Sequence, residues 1–148
     1  MKHGARARTR ARRLALQGLY QWQLSGVSAD DIIAELGARR NSRDTDTDYF
    51  AELLRRVIAE DAALEAMYAP HLDRPPQQLD PIERGILLLG TCELRSRPDV
   101  PYRVVLNEAV ELAKAFGAGE SHKYINAVLD CIAADCRSAE HAARGRAS

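Results

Sequence analysis

The residues best suited to bind a charged ligand are bases near the amino terminus. Residues 2–13 contain six bases and no acid: Lys2, Arg6, Arg8, Arg10, Arg12 and Arg13. On a helix, Arg6, Arg10 and Arg13 would form one stripe, with Arg8 and Arg12 in a second stripe beside it. Guanidinium groups form bidentate contacts with phosphates and stack on bases. Residues 1–13, called the arm below, are therefore predicted to bind RNA or DNA, with an unspecific basic tail as the alternative.

The other polar residues do not indicate catalysis. Ser121 and His122 are adjacent, so on a helix they would point about 100° apart. Ser121 is expected to cap a helix instead. Cys131 and Cys136 lack the spacing of a helical metal pair, and no glycine-rich phosphate loop follows a strand. The sequence therefore predicts a protein that is not an enzyme and that uses no metal or cofactor.

Charge and composition point to a cytoplasmic protein with two kinds of partner. The chain has 21 basic and 21 acidic residues, so the part outside the arm is acidic. Three cysteines without a CxxC pair are expected to be reduced thiols. Gln17, Gln21 and Gln23 interrupt the apolar stretch that a secretion signal would need. No stretch has the roughly 20 apolar residues of a membrane span, so no membrane contact is expected.

Hydrophobic periodicity predicts an all-α fold of six or seven helices with short loops. The first helix should end before Gly26. Residues 80–83 (Asp-Pro-Ile-Glu) are a strong helix start, with an acid as N-cap and proline in the first position. Residues 86–89 (Ile-Leu-Leu-Leu) are apolar on nearly all sides, which marks a central, buried helix, and residues 79–94 should form the core. One domain is expected over residues 5–137, followed by a disordered tail over 138–148.

Four segments carry a family pattern: residues 15–24 (ALQGLYQWQL), 79–84 (LDPIER), 99–117 (DVPYRVVLNEAVELAKAFG) and 121–130 (SHKYINAVLD). With them the chain resembles the NusB family of bacterial transcription antitermination factors, over roughly residues 5–135. The resemblance implies two three-helix bundles packed together. It also implies binding to single-stranded boxA-type RNA with NusE, a small-subunit ribosomal protein. The complex would join the elongating RNA polymerase with other Nus factors, notably on ribosomal RNA operons.

The resemblance also implies which residues bind. The RNA surface would include Lys2, Arg8, Arg10 and Arg12 from the arm, and Glu120, Ser121, Lys123 and Tyr124 from the start of the last helix. A helix amino terminus attracts phosphate, and Tyr124 offers a face for base stacking or is simply part of the core. The partner surface would include Tyr20, Glu83 and Arg84. Without a partner, Tyr20 would be an exposed aromatic residue, and Glu83 and Arg84 would be ordinary capping or surface charges of a helix.

The sequence departs from the family pattern at two positions and leaves two other functions open. Cys92 stands where an aromatic residue is usual, and Thr9 replaces a frequent base of the arm. NusB-like domains also occur fused to RNA cytosine methyltransferases, so an accessory role for such an enzyme is one alternative. This chain has no segment for a methyl donor, so the enzyme would be another polypeptide. A homodimeric helical interaction protein is the other alternative.

Overall fold

The computed structural model describes residues 4–38 and 44–147, and these residues form helices without any β-strand. The all-α prediction is therefore confirmed. The α-helices are α1 (Ala5–Ser25), α2 (Ala29–Gly37), α3 (Thr47–Ala59), α4 (Asp61–Tyr68), α5 (Pro81–Ser96), α6 (Tyr102–Phe116), α7 (Ser121–Cys136) and α8 (Ser138–Ala147). Short 3₁₀ turns lie at Ala69–His71 and Pro76–Gln78.

The chain divides into two compact units. The first covers Met1–Glu60 and contains α1 to α3, and the second covers Asp61–Ser148 and contains α4 to α8. The region 5–137, predicted as one domain, is thus shared between two helical units. Lys2 lies outside the described residues.

In the first unit, α1 packs closely against its two neighbours at Gly18. A Cβ at this position would lie 2.9 Å from Cγ2 of Ile32 on α2 and 3.2 Å from Cδ1 of Leu54 on α3. The helix ends, as predicted, at Gly26, whose φ of 68° is the left-handed conformation that favours glycine. The absence of a side chain at Gly18 therefore permits the close approach of all three helices.

Asp46 ties the start of α1 to the start of α3. Its carboxylate caps α3 by accepting a hydrogen bond from the Tyr49 N–H at 3.1 Å, and its own N–H donates to the Ala7 carbonyl at 3.1 Å. The same carboxylate lies 3.5 Å from Nε of Arg8, whose guanidinium carbon is 4.2 Å from the centre of the Tyr49 ring. The first turns of α1 are thereby held in place.

The second unit is built around α5. Asp80 accepts from the Glu83 N–H at 2.8 Å, and the Glu83 side chain accepts from the Asp80 N–H at 3.2 Å. The predicted capping and the proline in the first position are thus confirmed. Residues 85–94 are all buried, as expected for a central helix. A Cβ at Gly90 would lie 2.7 Å from Cδ1 of Leu129 on α7, so the two helices pack in close contact there.

The carboxyl-terminal segment corrects the prediction of a disordered tail, because residues 138–147 form α8. Glu140 accepts a hydrogen bond from the Tyr102 N–H at 2.9 Å, at the start of α6. His141 lies 3.0 Å from a carboxylate oxygen of Asp130, and its ring centre is 5.2 Å from that of Tyr102. The prediction relied on the composition of the segment alone, whereas these contacts come from residues distant in the chain. Ser148 lies outside the described residues.

Arg137 joins α7 and α8 and satisfies the end of α5. The side chain is buried and pairs with Glu140 at 2.8 Å. Its guanidinium donates to four backbone carbonyls, those of Glu93, Leu94, Arg97 and Val100, at distances of 2.8 to 3.2 Å. The last carbonyls of a helix have no partner within the helix, and a cation there also complements the helix dipole. One side chain thus fixes the end of α5 and the loop that follows.

We expect Arg137→Met to lower the free energy of unfolding by about 3 kcal/mol, because four backbone carbonyls each lose a hydrogen bond and Glu140 loses its ion-pair partner. Urea denaturation followed by circular dichroism measures the change. The matched control is Arg103→Met, on an exposed position of α6 in the same unit, which should alter stability by less than about 0.5 kcal/mol. Equal effects of the two substitutions would show that the buried guanidinium is dispensable.

We expect Asp46→Ala to destabilise the chain by about 1 kcal/mol through loss of a helix cap, and also to loosen the start of α1. Amide hydrogen exchange at Ala7 and Arg8 should become faster. Ser28→Ala is the control, because Ser28 caps α2 by accepting from the Asp31 N–H at 3.2 Å. If Ser28→Ala speeds exchange at the start of α1 equally, Asp46 has no special role in holding this helix.

Candidate nucleic-acid interface

The arginines of the arm fall into an exposed set and a structural set. Arg10 is exposed and donates to the Asp44 carbonyl at 3.2 Å. Arg8 is partly covered, and Arg12 is only 4% exposed, with its guanidinium carbon 5.5 Å from the centre of the Tyr49 ring. Helical spacing places Arg8 and Arg12 on one face, but it does not reveal that this face packs on an aromatic ring of α3. Of the three predicted contacts described here, Arg10 is the one that offers its side chain most openly.

The exposed face of α1 changes from basic to apolar along the helix. The exposed residues at helical spacing on this face are Arg6, Arg10, Arg13, Gln17, Tyr20 and Leu24. Tyr20, which was predicted to contact the partner, is 43% exposed. Leu24 is 58% exposed, although the sequence did not predict it as a partner contact. The first half of the face is thus suited to phosphates, and the second half is suited to an apolar protein surface.

Ser121 does not have the capping role predicted for it. It is the first residue of α7, Glu120 is the N-cap residue, and no side chain caps the helix. The Ser121 hydroxyl is buried and makes no hydrogen bond to any residue that the structure describes. It points toward Gly117, where a Cβ would lie 2.5 Å from its oxygen. Ser121 therefore belongs to the tight turn between α6 and α7 and not to the open surface.

Lys123 and Glu120 form an exposed ion pair at the start of α7. The Lys123 Nζ lies 3.1 Å from a carboxylate oxygen of Glu120, and each side chain is 72% exposed. The same carboxylate is 3.9 Å from Nε2 of His122. An exposed pair of this kind contributes at most about 1 kcal/mol, so a phosphate can replace the carboxylate at Lys123.

Tyr124 is half-buried, and Arg74, which was not predicted as a site residue, lies over its ring. The guanidinium carbon of Arg74 is 4.5 Å from the ring centre, and Nε of Arg74 donates to Asp73 at 2.8 Å. Burial raises the pKa of Tyr124, so its hydroxyl is protonated at neutral pH. The hydrogen bond from Arg74 lowers the pKa of Asp73. Arg74 was missed because its place beside Tyr124 depends on the fold and not on sequence spacing.

The remaining predicted partner residues have structural contacts of their own. Glu83 belongs to the capping box of α5, and it also attracts the Arg74 guanidinium electrostatically. Arg84 pairs with Asp61 at 3.4 Å, and its side chain is 26% exposed. Their side chains are partly accessible, so these structural contacts leave room for a partner.

The two departures from the family pattern are accommodated within the helices. Cys92 is fully buried in α5, so it packs in the core and does not reach a partner. Thr9 donates from its hydroxyl to the Ala5 carbonyl at 3.1 Å, one turn earlier in α1. The departure at Cys92 therefore affects packing, and the departure at Thr9 removes a base.

Two further properties concern metal binding and membrane insertion in the described part of the chain. Within it, no group of three His, Cys, Asp or Glu side chains is arranged to hold a metal ion. None of the helices over residues 4–38 and 44–147 combines the length and the apolar character needed to cross a membrane.

Comparison with known proteins identifies the family. The sequence model of the NusB family matches residues 9–134. The transcription antitermination protein NusB of Pseudoalteromonas atlantica is 53% identical over 124 residues, which cover 84% of this chain and 89% of the relative. The protein of the same name from Alcanivorax borkumensis is 48% identical over 138 residues, covering 93% and 92%.

Solved structures share the fold. NusB of T. maritima superposes with a TM-score of 0.78 at 24% identity, covering 89% of this chain and 92% of that one. A crystal structure of the antitermination factors NusB and NusE in complex with dsRNA contains a chain with a TM-score of 0.75 at 26% identity, covering 87% and 97%. Since the family model matches most of the sequence and the relatives are about half identical over nearly their whole length, this chain belongs to the NusB family.

Proposed function

We propose that this chain is a transcription antitermination factor. It binds boxA-type single-stranded RNA together with NusE, a small-subunit ribosomal protein, and joins the elongating RNA polymerase with other Nus factors, notably on ribosomal RNA operons. It acts in the cytoplasm by binding and not by catalysis. The names of its relatives support this role, as does the relative solved with NusE and dsRNA. The observation that carries the proposal is the row of exposed arginines on a helix held in place by α3.

The arginine row supplies attraction to RNA from a distance. Arg6 and Arg10 have no acidic partner among the described residues. Like charges one helical turn apart repel by a few tenths of a kcal/mol, so a phosphate bound between them relieves this repulsion as well as forming new contacts. Because Asp46 and Tyr49 hold the first turns of α1 in place, the guanidinium groups of the row have a fixed position. Binding by this row should be strongly salt-dependent.

The start of α7 supplies contacts of shorter range. The positive end of its helix dipole attracts phosphate, and Lys123 adds a charge that Glu120 partly neutralises. Ser121 is buried, so it shapes the turn and leaves the contact with RNA to its neighbours. A nucleotide bound here would therefore meet Lys123 and the aromatic side chain of Tyr124.

We expect Arg10→Glu and Lys123→Glu each to weaken RNA binding about tenfold, because each reverses the charge at a phosphate contact. Fluorescence anisotropy with a short boxA-like RNA measures the affinity across a salt series, with and without the ribosomal protein. The chain alone should bind the RNA weakly, and it should bind more tightly when the ribosomal protein is present. Single-stranded and duplex RNA are compared under the same conditions.

The matched controls reverse a charge elsewhere in the same unit. Arg55→Glu on α3 is the control for Arg10, and Arg103→Glu on α6 is the control for Lys123, since both are exposed. Salt-independent binding, or no binding with or without the ribosomal protein, would refute the proposed function. Unchanged affinity after Lys123→Glu would remove α7 from the RNA surface.

We expect Tyr20→Ser to weaken binding of the ribosomal protein about tenfold while RNA binding by the chain alone stays unchanged, because an exposed aromatic side chain is a typical centre of a protein interface. Isothermal titration calorimetry with the ribosomal protein measures the effect. Val104→Ser is the control, since Val104 is 40% exposed, close to the 43% of Tyr20. An equal effect of both substitutions would exclude a specific contact at Tyr20.

A further inference from the structure

Arg74 lies in the segment between the two 3₁₀ turns, beside the start of α7. It is restrained in two ways. Pro75 follows it, which confines the backbone of Arg74 to extended conformations, and Nε donates to Asp73 at 2.8 Å. The guanidinium lies over the Tyr124 ring with 4.5 Å between its carbon and the ring centre. The side chain is nevertheless 36% exposed.

The hydrogen bonding of Arg74 is incomplete. The bond to Asp73 uses Nε, and its two terminal nitrogens make no hydrogen bond to the described part of the chain. One side of the guanidinium plane faces the aromatic ring. The arrangement is thus a guanidinium group over an aromatic ring, with unused donors on its terminal nitrogens.

The position of Arg74 changes what Tyr124 can do. A base cannot stack directly on the ring face that Arg74 covers, so on that side it meets the guanidinium first. Arginine planes stack on unpaired bases as aromatic rings do. Asp73 cancels the charge of Arg74 at long range, so a purely electrostatic contact here would be weak. A stacking contact keeps its strength despite this neutralisation, because it depends on contact between planes.

We propose that Arg74 is an RNA-binding residue that stacks on a base of the bound single strand, and that Asp73 is the positioning residue that holds its guanidinium on Tyr124. The inference rests on the proposed function, since it adds a contact to the RNA-binding region proposed at the start of α7. Arg74 on Tyr124 therefore contributes a base contact, while the row of arginines on α1 contributes phosphate contacts.

The experiment uses the full chain and boxA-like RNAs that carry 2-aminopurine at successive positions. Stacking quenches this base, so the quenched position reports the contact. Arg74→Ala and Arg74→Lys should both lower affinity about tenfold and abolish quenching at one position. Arg74→Lys keeps the charge, so its salt dependence should match that of the parent. Arg103→Ala, which removes an exposed arginine of α6, should leave affinity and quenching unchanged.

Asp73→Asn tests the positioning role. The substitution keeps the size of the side chain but weakens its hold on the guanidinium, so quenching at the same position should decrease while the melting temperature stays unchanged. If the affinity for RNA increases and quenching stays unchanged, Asp73 acts only by repelling the RNA electrostatically. That outcome would overturn its positioning role.

The outcomes separate this inference from the proposed function. If the parent chain binds RNA and Arg74→Lys behaves like the parent, the contact is one of charge and the stacking proposal is overturned. If Arg74→Ala behaves like Arg103→Ala, Arg74 does not contact RNA. If the parent chain binds no RNA, the proposed function fails and this inference fails with it. Melting curves from circular dichroism confirm that each variant is folded.

Discussion

The buried guanidinium of Arg137 is the interaction on which the second unit depends most. A charged group is costly to bury, and only a full set of hydrogen-bond partners makes the burial tolerable. Here the partners are carbonyls at the end of α5 and in the following loop, together with Glu140. Since Arg137 directly follows α7, the same contacts fix the carboxyl end of that helix. Gly90 fixes its middle by admitting Leu129 at close range. The amino end of α7 therefore projects from a helix that is held at two points.

The first unit uses charged and aromatic groups in a comparable way. Arg8 and Arg12 lie against Tyr49, and Asp46 links the backbones of α1 and α3. Two of the bases in the arm thus stabilise the helix that presents the others. A count of positive charges does not separate these roles, because the deciding factor is which face of α1 meets Tyr49. The exposed face, from Arg6 to Leu24, is what remains for partners.

Features that depend on neighbours in sequence could be predicted, and features that depend on distant residues could not. The start of α5 followed from Asp80, Pro81 and Glu83 because a capping box is complete within one turn. The end of α1 followed from Gly26 for the same reason. In contrast, α8 depends on contacts from Glu140 and His141 to residues of other helices. The burial of Arg12 and of Ser121, and the place of Arg74, are likewise set by tertiary packing. The family resemblance pointed to the start of α7, but it could not show which side chains there are accessible.

The pairing of charges differs between the two regions proposed to contact RNA, the exposed face of α1 and the start of α7. Arg6 and Arg10 lack acidic partners among the described residues, so they attract any polyanion. At the other region, Lys123 is paired with Glu120 and Arg74 with Asp73, so little net charge acts beyond contact distance. A phosphate that merely approaches this region gains little binding energy, because Glu120 and Asp73 already neutralise the charges of Lys123 and Arg74. A nucleotide whose base and phosphate fit together gains contacts that replace the ion pairs. We therefore expect selectivity to come from the region of Lys123 and Arg74, where the charges are neutralised. The association rate is expected to depend on Arg6 and Arg10, which are not neutralised.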